Sequence, residues 1–409
     1  MSLPRSLTLA LAFVCAPALA DARPGAVASA PTATLVDPCV EGTDAACKRH
    51  ALDAFYHSLA DTAGAAHVTR ISWFGDSLTA DDQITDRLRQ TLQGKFGDGG
   101  PGFVFAVPPH PFCQHRAIKR ATGGEWVVHG VSTAAPPDRL MGLGGGDAEN
   151  AGGGHIRIAP NAHGLAIADL YFVAQPHGGS VEVDADGVAI STVATAADQK
   201  HGEFQLVTFG GPTAKIDLRA SGKVRLFGVV LETARGVVVD NLGVVNSTAK
   251  SLAKNRADHW QKQLAHRAPD LVVIMLGTNE AEWIPAAGTA LTEHEKIVTG
   301  LVKTVRAANP DRSCLVISPF DQLAWREPNM PPRASIPAMV EVQRKAALGA
   351  GCAFWDAYQW MGGKGSSLGW YRAKLLTNDF QHPTTAGAQR IADALAAGLL
   401  GGYATYHRH

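Results

Sequence analysis

Ile71-Ser72-Trp73-Phe74-Gly75-Asp76-Ser77-Leu78-Thr79 decides how the chain folds. The apolar, β-leaning run from Val68 to Phe74 stops at a glycine and an acid. A lone hydroxyl follows, and a helical pattern begins. A strand that delivers Ser77 to the first turn of a helix exposes its side chain. It also leaves unpaired backbone N–H groups beside it, able to hold an anion. Serine is equally a favoured N-cap, so this turn alone fits a capping role as well as a nucleophile.

Working outward, Leu78 to Lys95 reads as one long helix with Ile84, Leu88 and Leu92 on its buried side. Asp81, Asp82 and Asp86 are expected to face solvent or complement the helix N-terminus. Upstream, His50 to Ala63 places Leu52, Phe55, Tyr56 and Leu59 on one face, as a packed surface helix does. Downstream of Phe96-Gly97-Asp98-Gly99-Gly100-Pro101-Gly102 the texture changes. From about Pro108 to Thr233 there are short apolar or alternating runs, among them Trp126–Val131, Leu165–Ala174, Glu203–Phe209 and Val224–Leu231. Turn residues separate them, and Asp186-Gly187 reads as a hairpin turn. Such a pattern makes a β-sandwich or jelly roll. The Gly-rich segment Gly142 to Gly154 lacks the Gly-Lys-Ser/Thr ending of a phosphate loop and is expected to be a mobile surface loop.

Past Gly236, strands and helices alternate again. Val237–Gly243 is a strand and turn, and Asn246 to Arg267 a helix. Leu271–Leu276 is a continuous apolar strand ending in Gly277-Thr278-Asn279-Glu280. A helix over Leu291–Asn309, strands at Cys314–Ser318 and Cys352–Trp355, and a closing helix Ala386–Leu400 follow. This alternation implies a parallel sheet with helices on both faces, interrupted after its first strand–helix unit by the all-β insertion. The organisation expected is a signal peptide over 1–20, a linker over 21–38, α/β segments over 39–107 and 235–404, and the insertion over 108–234.

The 409 residues suffice for two domains, and 46% hydrophobic against 18% charged residues excludes global disorder. Zero formal net charge gives no basic surface for nucleic acid, and no cationic amphipathic stretch suggests membrane insertion. Arg5, the apolar run Leu7–Cys15 and Ala18-Leu19-Ala20 before Asp21 read as a cleavable export signal. The expected location is therefore the periplasm or the exterior. Val14 before Cys15 does not fit a lipoprotein signal. Export permits disulfides. Cys39 and Cys47 are the best pair, and Cys314 and Cys352 can meet if their strands are neighbours. No Cys/His spacing resembles a zinc site, so no metal and no cofactor are expected.

Four signals fall at strand ends or before the last helix, where open parallel sheets place their sites. They are Gly75-Asp76-Ser77, Gly243, Gly277-Thr278-Asn279 and Asp379-Phe380-Gln381-His382. A serine nucleophile needs a base, and the base needs a partner to fix its tautomer. His382 and Asp379 can supply both from one turn. The backbone N–H groups of Ser77 and Gly243 and the side-chain amide of Asn279 can hold the oxyanion. Singly, each has a plainer reading. Asn279 can cap a helix, Gly243 can permit a turn, Asp379 can cap the last helix, and His382 is one of sixteen histidines. Their joint occurrence in this order points to acyl transfer.

These blocks resemble the SGNH branch of the GDSL hydrolases, named for Ser, Gly, Asn and His. The resemblance implies a flavodoxin-like three-layer α/β fold. It makes Ser77 the nucleophile, Asp379 and His382 the rest of the triad, and Ser77, Gly243 and Asn279 the oxyanion hole. It covers most of the mature chain outside the insertion. The run Phe96–Phe103, the region from Phe354-Trp355-Asp356 to Met361-Gly362-Gly363, and Trp370 followed by Asp379-x-x-His382 are similar to exported O-acetylpeptidoglycan esterases. That group carries a carbohydrate-binding-like sandwich at a comparable place. Leu78 departs from it, since some members have histidine after the nucleophile. The implied activity is removal of O-acetyl groups from polysaccharide, most naturally peptidoglycan. A general short-chain carbohydrate esterase and a sugar O-acetyltransferase are the alternatives within the same chemistry. A non-catalytic carbohydrate-binding wall protein is the alternative from another class. Trp283, Trp325 and Trp370, in loops after the strands, are expected to stack on sugar rings. N-terminal sequencing of exported material should begin near Asp21, whereas an intact start would contradict the export signal.

Overall fold

A computed structural model describes residues 35–161, 164–324 and 326–406. The export signal, most of the linker and Trp325 lie outside the described residues.

The organising element is a six-stranded sheet. In chain order its strands are β1 (Leu35–Val36), β2 (Val68–Gly75), β3 (Gly236–Gly243), β4 (Leu271–Met275), β5 (Ser313–Ile317) and β6 (Ala353–Trp355). Their order across the sheet is β1-β6-β5-β4-β2-β3. All pairings are parallel except β1 on β6, which is antiparallel. The end of the expected linker is therefore an edge strand, because Leu35 and Val36 find open backbone groups on β6. Strands buried on both faces read as near-continuous apolar runs, as β4 and β5 do. Ile71, Trp73, Val273 and Met275 point to one core, shared with helices Asp53–Gly64, Gln83–Phe96 and Thr385–Tyr406. Phe74, Val272, Ile274 and Val316 point to the other, shared with helices Ala257–Arg267, Thr289–Ala308 and Ser335–Gly349. The last of these escapes a reading of the sequence. It begins inside a Pro-rich run, and Pro337 is tolerated only because it stands in the first turn.

The helix expected from Leu78 to Lys95 is two helices, Ser77–Ala80 and Gln83–Phe96. Between them Asp82 adopts a left-handed backbone (φ 61°). It does not face solvent. Its carboxylate is fully buried and accepts from Arg89 at 2.9 Å and from the Arg116 N–H at 2.6 Å. Arg89 projects inward and also donates to the Val239 carbonyl, so its counter-charge has to be inside too. The helix expected over Asn246–Arg267 is likewise two, Ala249–Leu252 and Ala257–Arg267.

The insertion is a sandwich of two antiparallel sheets. One contains Gly102–Phe105, Val127–Gly130, Gly146–Asn150, Leu165–Ala174, His201–Thr213 and Val224–Glu232. The other contains Ile118–Gly123, His155–Pro160, Ser180–Ala185, Val188–Ala194 and Ile216–Ser221. Gly102–Phe105 pairs with Val224–Glu232, so the chain enters the sandwich after Pro101 and not at 108. Asp186 and Gly187 both have positive φ, as a two-residue type I′ hairpin requires. Gly142–Gly154 is not a mobile surface loop. Gly142 to Gly146 are buried, and Gly146–Asn150 is a strand whose Asp147 pairs with buried Arg225 at 3.0 Å. A Cβ on Gly144 would lie 2.6 Å from the Phe105 ring. Glycine here serves close packing, which has the same composition as flexibility.

A buried polar junction joins the two units. Asp240 on β3 accepts from Ser72 on β2 at 2.7 Å and from the Phe103 N–H at 2.8 Å, where the chain enters the insertion. Arg267 donates to both Asp240 oxygens at 2.9 Å and reaches Glu232, at the end of the sandwich, at 2.6 Å. Arg70 on β2 also holds Glu232, at 2.8 Å. Burial alone would raise the Glu232 pKa. Arg267 and Arg70 outweigh it and lower it to about 2. Cys39 and Cys47 are joined within a two-stranded hairpin, and Cys314 is joined to Cys352 between β5 and the start of β6. In the chain-entropy view the short loop contributes about 2–3 kcal/mol and the longer one about 4. No helix among the described residues is long and apolar enough to cross a membrane.

Replacing Arg267 by Ala should leave buried Asp240 without its counter-charge and Glu232 with Arg70 alone, and cost about 3–5 kcal/mol. A urea midpoint close to wild type would show that the junction does not hold the two units together.

Candidate active site

Strand β2 ends at Gly75, and Ser77 is the first residue of the next helix. Between them Asp76 caps that helix, its Oδ1 accepting from the Leu78 N–H at 2.9 Å. Asp76 is fully buried and its second oxygen has no partner among the described residues. Burial raises its pKa to about 6. Because Asp76 does the capping, the Ser77 hydroxyl is free for another role.

The Ser77 Oγ lies 2.8 Å from His382 Nε2. On the other side of the ring, His382 Nδ1 lies 2.7 Å from Asp379 Oδ2. A carboxylate can only accept, so Nδ1 carries the proton and Nε2 presents its lone pair to the serine hydroxyl. Asp379 does not cap the last helix, which starts at Thr385. Its Oδ1 accepts from the N–H groups of Gln381 and His382 and from the Thr377 hydroxyl. This turn is tight enough to place Phe380 in the left-handed region (φ 57°). Burial would raise the Asp379 pKa, but the bonds from His382, Thr377 and Gln381 hold it well below the usual carboxylate range. The hydrogen bond to Asp379 in turn raises His382 above its ordinary 6.5, against the opposing effect of burial.

Ser77 is at N1 of its helix, so its N–H has no intrahelical acceptor. Asn279 does not cap the short turn that follows it. Its Nδ2 donates one proton to the Ser247 carbonyl at 2.8 Å and has a second available. The N–H expected of Gly243 is differently used, since it donates to Asn241 Oδ1 at 3.1 Å. Glycine is required there for space, because a Cβ would lie 2.5 Å from the Ala80 nitrogen. Three residues on, exposed Asn246 adopts φ 62°, and its N–H has no acceptor among the described residues. Asparagine is among the few non-glycine residues that accept this backbone, and that is the signal which could have picked it out.

The two described tryptophans of the three expected to stack on sugar separate. Trp283 is 61% exposed and lines a groove of about 460 Å³ with Ile284, Pro285, Ala324 and Arg333. Trp370 is buried, and its indole N–H donates to the Met361 carbonyl at 3.0 Å. It packs against Trp360 and cannot stack on a sugar.

A half-buried carboxylate, an oriented imidazole and a hydroxyl in line, at the free N–H of a helix start, can perform acyl transfer. Residues 211–390 match the GDSL-like Lipase/Acylhydrolase family. That match supports the SGNH/GDSL acylhydrolases as the family of this part of the chain. It supports a serine ester hydrolase. Among curated proteins, none matches its sequence. A solved peptidoglycan O-acetylesterase is similar over 86% of this chain and 96% of its own, at 24% identity and a TM-score of 0.75. That likeness shows the fold. An acetyl-xylooligosaccharide esterase from Geobacillus Stearmophilus matches 40% of this chain and 73% of its own, at 20% identity and a TM-score of 0.31. A lipase/acylhydrolase from Enterococcus faecalis matches 41% and 78%, at 18% identity and a TM-score of 0.32.

His382 should titrate above 6.5 by NMR, and Asp379→Asn should bring the midpoint down. An unchanged midpoint would mean that the carboxylate does not tune the ring.

Proposed function

We propose that the chain is an exported esterase that removes O-acetyl groups from polysaccharide, most naturally peptidoglycan, through an acyl-enzyme on Ser77. The observation that carries the reading is the hydrogen-bonded line Asp379–His382–Ser77, with the Ser77 oxygen at the start of a helix.

Ser77 Oγ attacks the acetyl carbonyl as its proton passes to His382 Nε2. The carbonyl oxygen becomes an oxyanion, held by the N–H of Ser77, the N–H of Asn246 and the Asn279 amide. As the tetrahedral intermediate collapses, the bond to the sugar oxygen breaks and His382 protonates that oxygen. Water, deprotonated by His382, then attacks the acetyl-serine. Acetate leaves and Ser77 recovers its proton. Asp379 keeps its negative charge throughout and offsets the imidazolium that forms twice.

Support for the substrate class comes from three directions. The fold likeness to a peptidoglycan O-acetylesterase extends across the insertion. Trp283 offers an exposed ring four residues beyond Asn279, and apolar ring faces suit pyranose stacking. Zero net charge and the absence from the sequence of a long apolar lid give no attraction to a lipid interface. The acyl group is accordingly short and the polymer lies in an open groove.

On a chromogenic acetyl ester, Ser77→Ala and His382→Ala should each abolish nearly all turnover, because they act as one unit. Asn279→Ala should cost about 100- to 1000-fold in kcat. Full activity of Asn279→Ala would remove it from the oxyanion hole. Only neutral His382 accepts the proton, so kcat/KM should rise with pH through a midpoint above 6.5. Acetate release should be faster from O-acetylated peptidoglycan than from acetylated xylan or a long-chain ester. Preference for xylan would overturn the cell-wall assignment, and preference for the long chain the esterase one. Acetyl transfer to glucosamine oligomers exceeding hydrolysis would replace it by a transferase.

A further inference from the structure

Glu280 follows Asn279 and is 3% exposed. Its Oε1 accepts from the Ala249 N–H at 2.8 Å, and its Oε2 is buried with no partner among the described residues. Ala249 opens the helix Ala249–Leu252. There Thr248 and Ser251 form a reciprocal capping box that leaves the Ala249 N–H unsatisfied. The acceptor for it comes from Glu280, distant in sequence. Beside it, the Asn279 amide grips the Ser247 carbonyl at 2.8 Å. Two consecutive side chains after β4 therefore hold the stretch Ser247–Ala249 after β3, directly beyond Asn246. Apolar packing alone would not call for a carboxyl here, since burying one is costly without partners. Burial, with a smaller contribution from Asp76, raises its pKa to about 7.

We propose that Glu280 is a positioning residue: its carboxyl fixes the start of the helix Ala249–Leu252, and with it the Asn246–Ser247 peptide, against Asn279, so that backbone and side-chain donors converge on one oxyanion. The inference rests on the serine-esterase reading above.

Three variants of the full chain test it. Each is assayed on a chromogenic acetyl ester, with competent sites counted by a serine-directed phosphonate. Glu280→Ala removes the acceptor, and kcat per site should fall about 10- to 100-fold with KM unchanged, as expected for displaced donors. Glu280→Gln keeps an acceptor oxygen and should restore most of that loss. Glu280→Asp keeps a carboxyl but withdraws the oxygen by one methylene, so its kcat should fall between the two. It also serves if the alanine variant does not fold. A purely structural role would lower the melting temperature of the Ala and Asp variants and leave kcat per site at the wild-type value, and that result overturns the proposal. So would Glu280→Gln losing as much as Glu280→Asp. Ser77→Ala separates the two levels. If it stays active, the esterase reading itself fails. If it is dead while folded Glu280 variants turn over normally, only the positioning role fails.

Discussion

Asp240 is the constraint on which both units depend. It sits fully buried on β3, the strand by which the chain returns from the insertion. Its two oxygens hold the strand beside it through Ser72, the point of exit through the Phe103 N–H, and Arg267 from the helix behind. Arg267 then reaches Glu232 at the last sandwich strand. Buried charges persist only when paired and hydrogen-bonded, and here the pairing can form only with the exit and return of the chain side by side. An insertion of more than a hundred residues then costs the parent sheet little, because its two ends meet where the sheet already needs adjacent strands (compare the register Gly236↔Val68 to Gly243↔Gly75).

That register also brings the site together. β3 and β4 flank β2 and run parallel to it, so Gly243 and Met275 stand beside Gly75 and the loops beyond all three emerge at one edge. Ser77, Asn246 and Asn279 lie just past these ends. His382 comes from the far end of the chain, and its position is set by the turn that Asp379 folds around itself. Acids on either side do similar local work: Asp76 caps the helix of Ser77 and Glu280 supplies an acceptor to the helix after Asn246. Each stands next to a residue of the candidate site, Asp76 before Ser77 and Glu280 after Asn279.

The parallel strands were legible because burial on both faces leaves an unbroken apolar run, as in Leu271–Met275. The sandwich was legible from its turns. The four site blocks were legible because strand ends and a short acid–histidine spacing are local features. What escaped depended on partners distant in sequence. Asp82 reads as a surface acid until Arg89 is known to point inward. The glycines from 142 to 146 read as slack until Phe105 and Phe227 are known to press on them. Gly243 reads as an amide donor until Asn241 is seen to take that N–H, and nothing in the spacing betrays it. Trp370 reads as a loop aromatic, yet the helix Ser366–Arg372 turns it into the core. In each case the local pattern was silent about what lay opposite.

Trapping the covalent intermediate tests the central claim most directly. The full chain would be mixed with an acetyl ester, quenched in acid within a turnover and digested for peptide mass spectrometry. The account predicts one acetyl group, 42 Da by the elementary mass of acetyl replacing hydrogen (roughly, to the nearest dalton), on the peptide that contains Ser77, formed by way of an acyl-enzyme. It also predicts none there when His382 is replaced by Ala. Turnover with no acetyl on Ser77 at any quench time, or an acetyl on another residue that keeps pace with product, would contradict it.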